Sequence, residues 1–537
     1  MKKNFSKLLV CLLSLSLASC GGNEEGGVTK LSFFSWGNET ETKLNEELVN
    51  QFNEIHRGEI EVKFTPVPSG DYETKINNVL RGRNVPDVII AGDGEIKPWI
   101  EQGGIEPLDS YVANSDKINL DKMWADGVNR YRYDIPSRRG GMGNLYGIMR
   151  DYSPSVIFYN IDAMEAVGIT CISITAEESL AKYNDDSAYF EFEGKEYFNN
   201  KVALTWSELL DLSCKLSSNT ITPKASEHEP NWYEKYRNPK SITPYGLYVI
   251  NWFCFGWSVG GNCLEWVEDA SLSTGGKYEL TLFDETKNYI VKEDQTVTVN
   301  SNTYNENQII SYNDKKLLTE EQKASCIELP SQMEAMQYFV DLSVKYGVSP
   351  RPNVSSSNSN YGLFSSQQCA MLIDTRYAVG IFRETIDNAT SGKFDWDVAP
   401  LPVHENGIAA GHSGSEAFCI TAKSKKKDAA WKFIEFLAGE EGQIKFAEAG
   451  FTIPNTMELS NSEVFLQSDK NPKNSQIFVD AAYYQRTGDW GYLPSKAWIN
   501  EWANPLNSDV LGGDMTLQEL KEKTATNSQK VIDAYYK

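Results

Sequence analysis

Four aromatic residues, Trp36, Trp257, Tyr377 and Trp498, each stand within a few residues of a glycine, a carboxylate or an amide. Ring faces pack on C–H faces, while carboxylates, guanidinium groups and hydroxyls bond to an edge of hydroxyls, so such a set suits a ligand rich in hydroxyls. Glu39, Ser69, Asp93, Asp151, Asp374, Arg376 and Ser413 are the polar candidates, and Trp490 is a further ring near the C-terminus. The patterns of covalent chemistry are missing. There is no Gly-x-Ser-x-Gly, His-Glu-x-x-His or Cys-x-x-Cys, and the four histidines (His56, His228, His404 and His412) are not spaced as metal ligands. No catalytic residue, metal or cofactor is therefore expected. With 74 acidic residues, some pair of carboxylates always looks fit for glycoside hydrolysis. A surface-anchored glycan-active enzyme stays open as an alternative, as does a binder of peptides or another non-sugar solute.

The formal net charge is −23 over 537 residues. Such a surface repels phosphate backbones and anionic headgroups, so neither nucleic acid nor a basic membrane patch is expected. Seven cysteines follow Cys20, at 171, 214, 254, 263, 326, 369 and 419. An odd number argues against a complete disulfide framework, and most sit among apolar residues as small buried hydrophobes. Cys254 and Cys263 are close enough in sequence to pair around a short loop, and the sequence does not decide whether they do.

At the N-terminus Lys2, Lys3 and Lys7 precede an apolar run from Leu8 to Leu17, long enough for a secretory signal and too short to span a bilayer. The run ends in Leu17-Ala18-Ser19-Cys20, which resembles the lipobox of bacterial lipoproteins. The resemblance implies a signal peptide over 1–19, cleavage before Cys20 and acylation of Cys20. Residues 20–27 then form a polar, Gly-rich tether, and the protein sits in the cell envelope, lipid-anchored on the extracytoplasmic face of the cell membrane.

The elements that must position the candidate residues begin at Leu31. Leu31–Trp36 reads as a strand, Glu39–Ile55 as a helix with Leu44, Leu48, Phe52 and Ile55 on one stripe, and Ile60, Val62 and Phe64 as an alternating strand. Asp71–Leu80 is a second helix, Pro86–Ala91 a strand buried on both faces, and Ile96, Trp99 and Ile100 mark a third helix. This order implies a parallel sheet with right-handed crossovers, whose C-terminal strand ends face a crevice. Trp36, Ser69 and Asp93 follow its first three strands. Each also has a plainer reading, as a core tryptophan, a helix cap and an N-cap. Later, capping boxes open helices at Thr205, Ser331 and Thr516. Phe253, Phe255 and Trp257 alternate with Trp252 and Cys254 as in a strand. Trp490 and Trp498 have helix packing as their plainer reading.

Five strings in this order resemble extracellular solute-binding proteins of family 1, the lipoprotein receptors of ABC sugar importers related to maltose-binding protein. They are Leu31–Gly37; Val85–Ile90 with Gly103–Leu108; Leu145–Ile148 with Ile157–Asn160; Phe364–Asp374 with Tyr377; and Ala429–Leu437 with Gly442 and Gly450. The resemblance implies an α/β fold of two lobes, each a mostly parallel sheet flanked by helices, joined by a hinge. Lobe one would be 28–149 plus 402–455 and lobe two 150–401 plus 456–537, with insertions at about 171–200 and 265–330. It implies a monomeric receptor that makes no covalent change, takes a carbohydrate, in particular an oligosaccharide, between its lobes, and passes it to ABC transporter permease subunits. Tyr377 falls where many members have a stacking Trp, Trp498 matches the last stacking position, Asp93 lies near a commonly acidic position, and Asp151 sits at the hinge.

Overall fold

Strand β1 (Thr29–Ser35) buries Leu31 and Phe33 and is followed by helix α1 (Glu39–Ile55). The helix starts where it does because Asn38 and Glu41 form a capping box. The Asn38 side chain accepts from the Glu41 N–H at 2.9 Å, and Glu41 Oε2 accepts from the Asn38 N–H at 3.1 Å. Leu44, Leu48, Val49 and Phe52 are buried. Ile55, in the last turn, is exposed, so the apolar stripe ends one turn earlier than its spacing suggests. Strand β2 (Ile60–Pro66), helix α2 (Ser69–Arg81), strand β3 (Val88–Gly92) and helix α3 (Asp93–Glu101) complete the expected βαβαβα run. The computed structural model describes residues 27–218, 238–250, 252–355 and 359–537; Cys20 and the lipobox lie outside the described residues.

The first sheet runs β2, β1, β3, then Glu416–Ile420, then Ile148–Met149. The three N-terminal strands are parallel, and Glu416–Ile420 runs against both of its neighbours. The second sheet orders Tyr245–Val249, Cys369–Thr375, Asp151–Asn160 and Trp396–Ala399. There Asp151–Asn160 is the reversed strand, antiparallel to the strands on either side. Each lobe is thus a sheet with one opposed strand, and that strand is where the chain enters from the other lobe.

Three passages of the chain lie side by side at the hinge. The start of Asp151–Asn160 pairs with Ser413–Gly414 and with Ile453–Pro454. The long strand also divides the cores by its period of two. Phe158 joins the cluster that runs from the first lobe, while Ile157 and Tyr159 face the cluster that holds Trp252–Trp257, Trp498 and Trp502.

The segment Phe253–Ser258 is a helix, buried at every position, and replaces the strand that its alternation suggests. A short apolar run does not reveal its period when every face is covered. The polar stretches form small satellites. Ile169–Ile172 pairs with Lys195–Asn199, and the hairpin Thr296–Val299/Asn302–Asn305 belongs to a minor core of Val291, Val297, Val299 and Ile310. Cys254 and Cys263 are both buried free thiols. Among the described residues, no helix is long and apolar enough to cross a membrane, and no group of donors is arranged for a metal ion.

Candidate functional site

The two lobes meet over a polar strip that runs along the hinge. At one end the Tyr377 hydroxyl donates to Glu41 Oε2 at 3.0 Å and accepts from Asn38 Nδ2 at 3.2 Å, joining the lobes. Arg150 lies next, 3.7 Å from Glu41 Oε1, and its Nε donates to Asp151 Oδ2 at 2.8 Å. Asp151 in turn accepts from the Glu416 N–H at 3.0 Å. Burial, reinforced by Glu95, Asp151 and Asp93 and opposed by Arg150, holds the Glu416 carboxyl well above the usual carboxylate range. Its Oε2 has no hydrogen-bond partner among the described residues. A neutral carboxyl there can donate as well as accept.

The lobe-one wall stands at the C-terminal end of β3. Gly92 is the N-cap of α3 and the Asp93 side chain does not cap it. Asp93 instead faces Arg130 Nη1 at 3.5 Å and accepts from the Thr487 hydroxyl of the opposite lobe. Burial alone would raise the Asp93 carboxyl; Arg130, Lys97 and the Thr487 bond outweigh it, so the group titrates below the usual range. Arg130 also donates to the Ser413 carbonyl at 2.9 Å and the Ser413 hydroxyl at 2.8 Å, and pairs with Asp126 at 2.5 Å. Burial lowers Lys97 to about 8 and neighbouring His412 to about 4. Glu95 reaches across to Lys496 at 2.7 Å. The approach is close: a Cβ on Gly94 would lie 2.9 Å from Lys496 Cε and 3.3 Å from Trp490 Cδ1.

The lobe-two wall is aromatic. Trp490 is half-buried, 4.9 Å from the Phe253 ring and 4.7 Å from His412. Trp498 is buried and, with Trp252, Phe253, Trp490 and Trp502, lines a cavity of about 90 Å³. The indole N–H groups of Trp498 and Trp502 have no partner among the described residues. Trp257 is buried too, and one face of its ring is covered by the Arg486 guanidinium, 3.9 Å from the centroid.

The structure therefore gathers Asp93, Asp151, Tyr377, Ser413 and Trp490 along the junction of the lobes, with Trp498 just behind Trp490. Others stand apart. Trp36 is half-buried and packs on the lobe-one core. Glu39 is exposed and pairs with Lys43 at 2.7 Å, one turn along α1. Ser69 is exposed at the start of α2. Asp374 is buried, accepts from Asn360 Nδ2 at 2.8 Å, and is raised to about 6 by burial. Arg376 is turned fully into the core. Strand-end position alone does not set side-chain direction, because successive residues point to opposite faces.

Sequence reading misses Asn38, Glu41, Glu95, Arg130, Arg150, Glu416 and Lys496. For Arg150 a signal exists, a charged pair Arg150-Asp151 set between apolar stretches. For Arg130 the pair with Asp126 at i,i+4 is local, but its bond to Asp93, 37 residues away, has no local signal, nor has that of Lys496 to Glu95, 401 residues away.

The chain matches the family model of bacterial extracellular solute-binding proteins over residues 36–253 and 265–444, and it belongs to that family. Its fold is shared by solved structures. An ABC substrate-binding protein from Listeria monocytogenes in complex with cycloalternan superposes with a TM-score of 0.63 at 17% identity, covering 94% of this chain and 99% of that one. The GacH receptor of Streptomyces glaucescens, solved unliganded and with acarbose, gives 0.61 at 16% identity over 95% and 99% of the two chains. UgpB from Mycobacterium tuberculosis, in complex with glycerophosphocholine, gives 0.59 at 15% identity over 95% and 98%.

Proposed function

We propose that this protein is a lipid-anchored receptor that captures a carbohydrate, in particular an oligosaccharide, between its lobes and delivers it to the permease subunits of an ABC transporter. The observation that carries the reading is the pairing of two unlike walls. Carboxylates held by Arg130 and Lys496 stand beside the start of α3, where Gly94 meets Trp490, and Trp490 with Trp498 lines an aromatic cavity; charged edge and ring face match the hydroxyl edge and the C–H face of a sugar. Relatives with this fold bind cycloalternan and acarbose, in keeping with a glycan ligand. The proposed contacts are Glu41, Asp93, Glu95, Asp151, Tyr377, Ser413, Glu416, Trp490, Trp498 and Lys496, on lobes of 28–149 plus 402–455 and 150–401 plus 456–537.

The receptor acts as a monomer and makes no covalent change. Ligand stabilises the closed form by touching both lobes, and the transporter reads that form. Acylated Cys20 holds it at the membrane, since each buried methylene contributes about 0.8 kcal/mol and more than one chain makes the hold durable. Titration calorimetry of the mature domain with a panel of neutral glycans tests the reading, and saturable heat with at least one is expected. Release of reducing sugar at catalytic rates would sink the receptor role. Heat only with peptides or with glycerophosphodiesters would sink the carbohydrate assignment.

A further inference from the structure

Arg376 follows the strand Cys369–Thr375, and its side chain is 0% exposed. Its backbone N–H donates to Pro154 O at 2.8 Å, tying it to the hinge end of the long strand. Its guanidinium lies 5.0 Å from the ring centroids of both Phe465 and Phe478. Nε, Nη1 and Nη2 all lack a hydrogen-bond partner among the described residues. The charge that bears on it is a second cation, Arg383. Arg383 gives Nε to Asn471 O and Nη1 to Gln467 Oε1, each at 2.6 Å, but its Nη2 is also buried and unpartnered.

A buried amine or carboxyl can shed its charge, but a guanidinium keeps its proton and needs a counter-charge. Ring faces offset part of the lost hydration, and they leave the in-plane N–H donors idle. Arg383 has Asp387 and Asp469 near it, whereas the charge felt at Arg376 is that of Arg383 alone, and the idle donors of Arg376 with the idle Nη2 of Arg383 form an arrangement that an anion completes. Arg383 also lines an open groove of about 710 Å³, which supplies a route from solvent. Glu384, Asp387, Glu448 and Asp469 line the same groove and disfavour bulky or multiply charged anions there. We propose that Arg376 and Arg383 jointly hold one small monovalent anion, a halide, beside the hinge and one residue from the lobe-bridging Tyr377. This site is independent of the carbohydrate reading.

Anomalous diffraction from crystals of the protein grown in sodium bromide tests it. A bromide peak within hydrogen-bonding reach of both guanidinium groups is expected; water density there, with no anomalous signal, overturns the proposal. In solution, bromide should raise the unfolding temperature by about 2 °C over sodium gluconate at equal ionic strength. Arg383→Gln, at a half-buried position, should abolish that difference. Equal temperatures in the two salts, or a difference that survives in Arg383→Gln, would refute the site.

Discussion

Asp93 and Asp374 are both buried aspartates at the end of a central strand, one in each lobe, and they titrate in opposite directions. Asp93 is surrounded by Arg130, Lys97 and the Thr487 hydroxyl, which outweigh its burial. Asp374 has only the Asn360 amide and the Thr375 N–H, which do not, and it rises to about 6. The difference extends to the walls they stand in. Lobe one answers its buried acids with buried bases, so its face is charged and rigidly bonded. Lobe two fills its face with rings, and its buried Asp374 and Asp397 are both driven by burial to about 6. Burial is common to both; the counter-charge decides whether the buried group stays ionised or is driven towards neutrality.

Arg130 is the place to break the charged wall. Arg130→Met leaves Asp93 and Asp126 without their guanidinium and should cost about 3–5 kcal/mol in chemical denaturation. A loss under about 1 kcal/mol would mean that this residue does not organise the wall.

The two aspartates themselves give the contrast in pH. Because the folded pKa of Asp374 is about 6, above its unfolded value near 3.8, its protonated form is favoured by folding. Wild-type stability relative to Asp374→Asn should therefore fall as pH rises from about 4 through about 6, by about 2–3 kcal/mol. Asp93 is lowered, so wild-type stability relative to Asp93→Asn should be present above the unfolded pKa and lost as pH falls below about 4. Denaturation curves at pH 3, 4, 5 and 7 check both signs, and parallel behaviour of the two variants would erase the comparison.

On the ring wall, Trp490→Ala should weaken glycan binding by about 30-fold, equivalent to about 2 kcal/mol of lost stacking and burial, as read by calorimetry. Unchanged affinity would move the ligand away from this ring. Between the walls, Tyr377→Phe removes the hydroxyl shared by Glu41 and Asn38 and should cost about 1 kcal/mol of affinity, about five-fold. Lys496→Met should give the smallest effect. Its pair with Glu95 is partly exposed, so less than about 1 kcal/mol is expected, shrinking as salt is raised.

Much of the fold is legible in the chain. The boxes at Thr205, Ser331 and Thr516 start their helices at the residues the sequence marks. The strand expected over Pro86–Ala91 forms over Val88–Gly92 and is buried at every position, because no polar side chain interrupts Val88–Ala91. The site is less legible. Asp93, Asp151 and Tyr377, chosen because they follow strands or sit at a chain crossing, do lie along the junction of the lobes. Arg376 follows a strand equally well and points into the core. Trp257 precedes its glycines, yet it lies on a buried helix beneath Arg486.

The residue order by itself determined the elements, the parallel run of the first lobe and the family strings, since these rest on periodicity and on contacts a few residues apart. Tertiary structure alone decided which acids are paired, which rings have a free face and which arginine is buried without a partner. Those outcomes depend on contacts such as Glu95 with Lys496 and Asn38 with Tyr377, made across hundreds of residues where the lobes meet. Only that packing sets the burial and counter-charge from which each group takes its chemistry.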